Sequence, residues 1–179
     1  MNDYLAGDIN ADEEINVLDV LNMADLIMNG VDGISEAELW TADMNTDGTI
    51  DIFDLVQLVN YIMSGGSLAR SIAATGETAI YHQGSVVYLS SSVPVYGLQL
   101  TLSGAVNAIG NQTNLVFHHR NEKVLLYSMG DQSLSGEKVT LFELPEGVFI
   151  ETAKVSGAGG EPFVVTLGII PESFAVYQN

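Results

Sequence analysis

Two twelve-residue stretches, DINADEEINVLD at Asp8–Asp19 and DMNTDGTIDIFD at Asp43–Asp54, determine the fold of the first third of this chain. Their first residues are 35 positions apart, and acidic or amide side chains recur on alternate positions in both. Calcium binds six to eight oxygen atoms, and a tightly curled twelve-residue loop supplies them from positions 1, 3, 5, 7, 9 and 12. The repeat therefore predicts two calcium loops.

The predicted ligands are equivalent in the two loops. In the first loop they are Asp8, Asn10, Asp12, Asn16 and Asp19, together with the backbone carbonyl of Glu14. In the second loop they are Asp43, Asn45, Asp47, Asp51 and Asp54, together with the backbone carbonyl of Thr49. A merely solubilising acidic surface would scatter its carboxylates, whereas these lie at fixed spacings. The sequence therefore predicts two Ca²⁺ ions as the cofactor.

The two loops differ at two positions. Position 6 is Gly48 in the second loop but Glu13 in the first. This position needs an open backbone, and a positive φ angle strains any residue other than glycine. The first loop also has one carboxylate fewer, because Asn16 replaces the residue equivalent to Asp51. We therefore expect the first site to bind calcium more weakly and the second site to fill first.

Each loop is followed by apolar residues at helical spacing. After Asp19 these are Val20, Leu21, Ala24, Ile27 and Met28, and after Asp54 they are Leu55, Leu58, Val59 and Ile62. A short acidic helix is predicted between them, near Ser35–Thr41. Ile15 and Ile50, at position 8 of the loops, are predicted to pair the two loops through a short strand contact.

Two loop-then-helix units, with Asp rather than Glu as the last ligand, resemble a type I dockerin over residues 1–64. The segments GDIN and ADMNTDG are close to the loop openings of that family. The resemblance implies a non-catalytic module that binds cohesin domains in a calcium-dependent way. Such modules tether secreted enzymes or adhesion proteins.

The resemblance also implies a partner-binding patch. In the family, loop positions 10 and 11 help to set the choice of partner, and here they are Val17 and Leu18 in one copy and Ile52 and Phe53 in the other. Four apolar side chains at two helix starts can form an exposed patch. The alternative is that they join the core between the helices. Two-way binding in flipped orientations is left open.

Charge divides the chain into two parts. The net charge is −18, and residues 1–69 contain 14 acidic residues and no Lys or Arg, whereas the remainder contains nine acidic and all five basic residues. This difference in charge between the two parts indicates two domains. Nucleic acid and anionic membrane surfaces would repel such a chain.

The sequence contains no apolar run of about 18 residues, so no membrane-spanning helix is predicted. It also contains no cysteine, which excludes disulfides.

Beyond a short joint at residues 65–67, the pattern becomes strand-like. The predicted strands are Ala79–Tyr81, Val86–Ser90, Tyr96–Leu102, Leu115–His118, Val124–Tyr127, Val139–Phe142, Val148–Val155 and Phe163–Ile170. Glycine-containing turns between them predict an antiparallel β-sandwich over residues 68–170. The segments VYGLQLTLSG and KVLLYSMGDQSLSGEKVTLFEL resemble a cohesin, so the sandwich could bind its own dockerin, that of another chain, or a sugar, or serve as a spacer.

No catalytic residue set is predicted in the sandwich. His118 and His119 are neighbours on a predicted strand, so their side chains should point to opposite faces and make poor co-ligands. Four tyrosines could form a sugar-stacking platform or lie half-buried in the sheet: Tyr81, Tyr88, Tyr96 and Tyr127. The chain is therefore expected not to be an enzyme.

The tail PESFAVYQN, residues 171–179, resembles the stretch before the C-terminal sorting domain of proteins exported by type IX secretion. With no signal peptide at Met1, this suggests a fragment of a longer secreted or cell-surface bacterial protein. We expect a calcium-dependent docking module that assembles enzymes or adhesins through a cohesin-type sandwich in the same chain or another, linked to polysaccharide degradation. The alternative is a carbohydrate-binding accessory module, with polysaccharide as the partner of the sandwich.

Overall fold

Helices and strands occupy separate parts of the chain in the computed structural model, which describes residues 4–67, 76–107 and 109–169. Within these residues the elements are α1 (Val17–Asn29), α2 (Glu36–Ala42), α3 (Ile52–Met63), β1 (Thr78–Gln83), β2 (Val86–Val95), β3 (Gly97–Leu102), β4 (Val116–Arg120), β5 (Lys123–Tyr127), β6 (Leu134–Glu143), β7 (Ile150–Ser156), β8 (Pro162–Phe163) and β9 (Val165–Ile169). The predicted fold class, an α module followed by an all-β sandwich, is confirmed. The predicted sandwich start at residue 68 and the tail at 171–179 lie outside the described residues.

The helices begin where side chains satisfy their free backbone N–H groups. Asn16, Ser35 and Asp51 are the N-caps of α1, α2 and α3, and each forms a reciprocal capping box with the residue three positions later. The predicted short acidic helix is therefore confirmed as α2. The other two helices start at Val17 and Ile52, inside the loops, and Asp19 and Asp54 are the third helical residues of their capping boxes. No described helix could cross a membrane.

The strands form two sheets, ordered β6-β2-β1-β9 and β4-β5-β3-β7-β8. Pairing is antiparallel except between β1 and β9, which run parallel. The last predicted strand, Phe163–Ile170, is in fact two short strands in different sheets. The chain crosses between the sheets at Val164, which is 87% exposed.

Side chains alternate across the five-stranded sheet. Leu98, Leu100 and Leu102 of β3 belong to the sandwich core, as do Val124 and Leu126 of β5. Leu125 and Tyr127 point away from that core, as strand geometry requires. Both are nevertheless fully buried, so the outer face of this sheet is covered by another part of the chain.

The cover consists of α1 and α3. Leu125 and Tyr127 share one buried cluster with Ile9 of the first loop and with the helical residues Val20, Met23, Ala24, Ile27, Ala42, Ile52, Leu55, Val56, Leu58 and Val59. Helix α1 contacts β4 and β5, whereas α3 contacts β3, β5 and β7. The two parts of the chain are thus packed directly against each other. Ile15 and Ile50 also pack on this cluster, and the predicted strand contact between them is not found in the described part of the chain.

Candidate functional site

The two acidic loops have the same hydrogen-bonding pattern at their first position. Asp8 Oδ1 accepts the backbone N–H of Asp12 at 3.1 Å, and its Oδ2 accepts that of Glu13 at 3.0 Å. Asp43 makes the two equivalent bonds in the second loop, also at 3.1 and 3.0 Å. The first carboxylate of each loop therefore holds the backbone in a tight curl.

The last carboxylate of each loop is buried and closes it. Asp19 accepts the N–H groups of Ile9 at 2.8 Å and Asn16 at 2.9 Å. Asp54 accepts those of Asn45 at 3.1 Å and Asp51 at 2.9 Å in the second loop. Both aspartates are fully buried. They link the start of each loop to the helix that follows it.

The remaining loop side chains bend back on the backbone in the same way in both copies. Asn10 Nδ2 donates to Asp12 Oδ2 at 2.8 Å, and Asn45 Nδ2 donates to Asp47 Oδ2 at 3.1 Å. The backbone N–H groups of Glu14 and Thr49 donate to the aspartate two positions earlier. The predicted ligand positions are therefore arranged equivalently in the two loops.

Position 6 has a left-handed backbone in both loops. The φ angle is 69° at Glu13 and 84° at Gly48. The open conformation expected from the sequence is therefore present, and in the first loop it is adopted by a residue with a side chain, at a cost in strain. The fourth residues, Ala11 and Thr46, are also left-handed, at 58° and 59°.

The donor set fits a hard divalent cation. The pKa of Asp54 is raised to about 6, chiefly by burial and to a smaller extent by the charges of Asp51 and Asp43, although backbone N–H donors oppose these effects. A cation would relieve this repulsion. In residues 4–67, 76–107 and 109–169, no three His, Cys, Asp or Glu side chains are grouped as a metal site by themselves. Calcium does not need such a group, because amide and backbone carbonyl oxygens also serve as ligands.

The start of α3 lies directly on the outer face of the five-stranded sheet. The backbone N–H of Ile52 donates to Gln99 Oε1 at 3.0 Å. A methyl group added to Gly97 would lie 2.6 Å from Val56 Cγ2 and 2.7 Å from Ile52 Cγ1. One added to Gly160 would lie 2.5 Å from the carbonyl oxygen of Phe53. The two glycines therefore permit this close approach.

Basic side chains of the sandwich meet polar groups of the acidic helices. Lys154 forms an ion pair with Asp51, and Lys123 Nζ donates to the carbonyl oxygen of Ile27 at 3.0 Å. Arg120 donates to the side chain of Asn29 at the end of α1. Cations near a helix C-terminus are favoured by the helix dipole. Three of the five basic residues of the chain thus bond across this interface.

Tyr127, at the end of β5, is fully buried on the covered face. Its ring stacks on that of His118 with centroids 5.8 Å apart and an angle of 7° between the planes. His118 Nε2 and the Tyr127 hydroxyl are 3.3 Å apart. Burial raises the pKa of Tyr127 to about 12. His119 instead lies against Phe117, 5.8 Å between centroids, so the adjacent histidines face opposite sides as predicted.

The predicted partner-binding residues are divided between two environments. Ile52 is fully buried and Phe53 is partly buried at the sheet, whereas Val17 and Leu18 are 48% and 50% exposed. The four residues therefore lie in two different environments: one pair is exposed to solvent, and the other packs on the sheet. Sequence reasoning missed the sheet residues that receive α3. Gly97 in a strand interior was the available signal, because such glycines often mark a close backbone approach.

The four tyrosines considered for sugar stacking do not form one platform. Tyr81 and Tyr88 stack on each other at 5.5 Å on the four-stranded sheet, and the Lys138 ammonium lies 4.5 Å from the Tyr88 ring centroid. Tyr96 and Tyr127 belong to the helix-covered cluster instead. The two pairs are therefore separated: Tyr81 and Tyr88 lie on the four-stranded sheet, whereas Tyr127 lies on β5 of the other sheet and Tyr96 precedes β3 of that sheet.

Comparison with protein families identifies the helical part. Residues 6–63 match the model of the dockerin type I domain. We call residues 6–63 the dockerin segment. Type I dockerin domains bind calcium in general, in agreement with the donor chemistry of the two loops. Dockerins are docking domains without catalytic activity.

Three solved structures are similar to the chain. A non-cellulosomal cohesin from Archaeoglobus fulgidus is 16% identical, with 57% of this chain and 96% of that chain covered and a TM-score of 0.33. A chain of a type I cohesin–dockerin complex from Clostridium thermocellum is 13% identical, with 57% of this chain and 99% of that chain covered and a TM-score of 0.36. A cohesin module from a family 33 glycoside hydrolase of Clostridium perfringens is 14% identical, with 55% of this chain and 100% of that chain covered and a TM-score of 0.34. No match was found among curated proteins.

Proposed function

We propose that this chain is a calcium-dependent protein-docking module of a larger secreted bacterial protein. Its dockerin segment would bind the outer face of a cohesin-like sandwich through the helix starts that follow the two calcium loops. The observation that carries the proposal is the burial of Leu125 and Tyr127, which point out of the sandwich and are covered by α1 and α3. The burial of this strand face by helices from a separate part of the chain supports its assignment as a protein-docking surface.

Electrostatics supports this pairing. The dockerin segment contains acidic but no basic residues, and the sandwich face that it covers presents Arg120, Lys123 and Lys154. Complementary charge of this kind contributes more to specificity and to the association rate than to affinity. The partner would therefore be a β-sandwich with a basic outer face rather than another acidic surface.

Calcium would act through the helix starts. Two ions would be held by the residues of the two loops, and they would supply the positive charge that the buried carboxylates need. Asn16 and Asp51 are both predicted ligands and the N-caps of α1 and α3. Asp19 and Asp54 in turn connect the loop starts to the same helices. Ordering the loops therefore orders the surface that docks.

The wider setting follows from the resemblance to dockerins and to proteins of type IX secretion. The chain would act outside the cell and bring enzymes or adhesins together, in connection with polysaccharide degradation. We expect no catalytic activity of its own.

The experiment that tests the function is calcium removal from the full chain. We expect two calcium ions per chain by isothermal titration, and loss of helical circular dichroism and of thermal stability when a chelator is added. The variant Asp8→Ala with Asp43→Ala should behave like the chelated protein. Helicity and melting temperature that stay the same without calcium would contradict the proposal.

A second candidate function is carbohydrate binding by the sandwich. The stacked pair Tyr81 and Tyr88 favours it, because both rings are only partly buried and lie on the sheet that the helices do not cover. Affinity electrophoresis in gels containing soluble polysaccharides tests it. Retardation that is unchanged in Tyr81→Ala and Tyr88→Ala would exclude this pair as the binding site.

A further inference from the structure

The docking contact is made between two surfaces that every copy of this chain carries. The helix face consists of Ile52, Phe53 and Val56 on α3. The sheet face consists of Gly97, Gln99, Leu125, Tyr127 and Lys154. In the structure each face is covered by the other face of the same chain.

We propose that this contact is a closed form of the module, in which the chain occupies its own docking face and thereby prevents both faces from binding a second copy. The proposal rests on the proposed function and names the partner of the docking surface. In the closed form the partner is the same chain, and after opening it is the complementary face of a second copy.

The internal repeat shows that the sheet, and not the dockerin segment itself, buries the helix face. Positions 10, 11 and 14 are Val17, Leu18 and Leu21 in the first copy and Ile52, Phe53 and Val56 in the second. The first-copy residues are 48%, 50% and 47% exposed. In the second copy, Ile52 is fully buried and Val56 is 3% exposed. Equivalent apolar residues are thus exposed where no sheet covers them.

The helix face packs so closely on the sheet face that one added methyl group can separate them. The position of Gly97 leaves no room for a β-carbon, because Val56 and Ile52 lie within 2.7 Å of where it would be. Gly168, on β9 of the opposite sheet, is different, since a β-carbon there would meet Tyr81 Cβ at an ordinary 3.8 Å. One methyl group can therefore separate the two faces at Gly97 and leave the fold unaffected at Gly168.

Tethering explains why the closed form would prevail over exchange between chains. Linked surfaces meet at an effective concentration in the millimolar range when the linker is short. A second copy at micromolar concentration therefore competes poorly, and its apparent affinity is reduced in proportion to the open fraction. Variants that block one face should open the chain and expose the other face.

The test mixes two full-length variants in the presence of calcium. Gly97→Ala blocks the sheet face and leaves the helix face free, whereas Val56→Asp blocks the helix face and leaves the sheet face free. Gly168→Ala and Leu21→Asp are the matched controls. Circular dichroism checks folding, small-angle scattering measures the radius of gyration, and light scattering measures mass. Phe53→Asp is a second helix-face variant, because Phe53 is only partly buried.

We expect wild type and both controls to be compact monomers, alone or mixed. Each blocked variant should be a monomer with a larger radius of gyration, and an equimolar mixture of the two should form a dimer of twice the mass. A blocked variant with the wild-type radius, or a mixture that stays monomeric, would overturn the proposal. Neither result bears on the loss of helicity after calcium removal, which tests the proposed function separately.

Discussion

Lys154 on β7 forms an ion pair with Asp51, the N-cap residue of α3. Asp51 is 2% exposed, and its other carboxylate oxygen accepts the backbone N–H of Phe53 at 2.8 Å. The same residue is the predicted calcium ligand at position 9 of the second loop. One carboxylate therefore belongs to the loop, to the helix start and to the interface between the helices and the sandwich.

This shared carboxylate predicts that removing the Lys154 charge tightens calcium binding by the second loop. In Lys154→Met the ammonium no longer competes for Asp51 or repels the ion, which at a separation of several ångströms amounts to roughly a tenfold gain in affinity. Competition with a calcium chelator measures it. Lys138→Met is the matched control, because Lys138 lies on the opposite sheet over Tyr88. Unchanged or weaker binding in Lys154→Met would show that Asp51 is not a ligand.

The left-handed backbone at Glu13 predicts a stabilising substitution in the first loop. Glu13→Gly should remove strain of about 1 kcal/mol and strengthen calcium binding by the first site. Gly48→Ala should have the opposite effect in the second loop, where no atom lies near the added methyl group and only the backbone responds. Thermal melts and calcium titrations of both variants check the pair. A loss of stability in Glu13→Gly would contradict the strain argument.

The unequal burial of the two helix starts predicts unequal costs for equivalent truncations. Ile52→Ala should lower the free energy of unfolding by about 2–5 kcal/mol, because it leaves a cavity at a fully buried position. Val17→Ala should change it by no more than about 0.5 kcal/mol, since Val17 is 48% exposed. Urea unfolding of the two variants with calcium present gives the comparison. Equal costs would mean that the sheet does not cover α3 in solution.

Tyr127 predicts a loss of stability at alkaline pH. Its pKa is raised from 10 to about 12 by burial, so the unfolded chain releases this proton at lower pH than the folded chain. The contribution is absent below pH 10 and destabilises the folded state progressively as the pH rises from 10 to 12. Tyr127→Phe should reduce this loss of stability at alkaline pH. It should also remove the tyrosine that ionises at the highest pH from a titration followed by phenolate absorbance. A titration identical to wild type would place the tyrosine outside the buried interface.

The two acidic loops and the helices that follow them can be predicted from the sequence because their signals are local. Ligand spacing, the glycine at Gly48 and the apolar helical pattern all lie within a dozen residues of one another. The helix starts at Val17 and Ile52 agree with the positions expected from the loop numbering, whereas the capping-box role of Asp19 and Asp54 becomes visible only in the structure. The division of the last strand was missed because a change of sheet at Val164 leaves no local pattern.

The helix-covered face of the five-stranded sheet illustrates what local patterns do not contain. Lys154 and Asp51 are 103 residues apart in the chain, and nothing near either residue identifies the other. The four tyrosines are comparable in sequence, but Tyr81 and Tyr88 stack on the four-stranded sheet, whereas Tyr96 and Tyr127 belong to the helix-covered cluster. Strand alternation placed Leu125 and Tyr127 on an outer face, but their burial depends on helices from a distant part of the chain.

The amino-acid sequence by itself determined two oxygen-rich loops, the helices that follow them and a strand-rich second part. Each depends on spacings of a few residues and on the chemistry of side chains along one segment. Only the tertiary structure decided that α3 rather than the start of α1 is covered, and that the cover is the sandwich of the same chain. The two helix starts are nearly equivalent in sequence, so the choice arises from Gly97, Gln99 and Lys154, which lie next to only one of them.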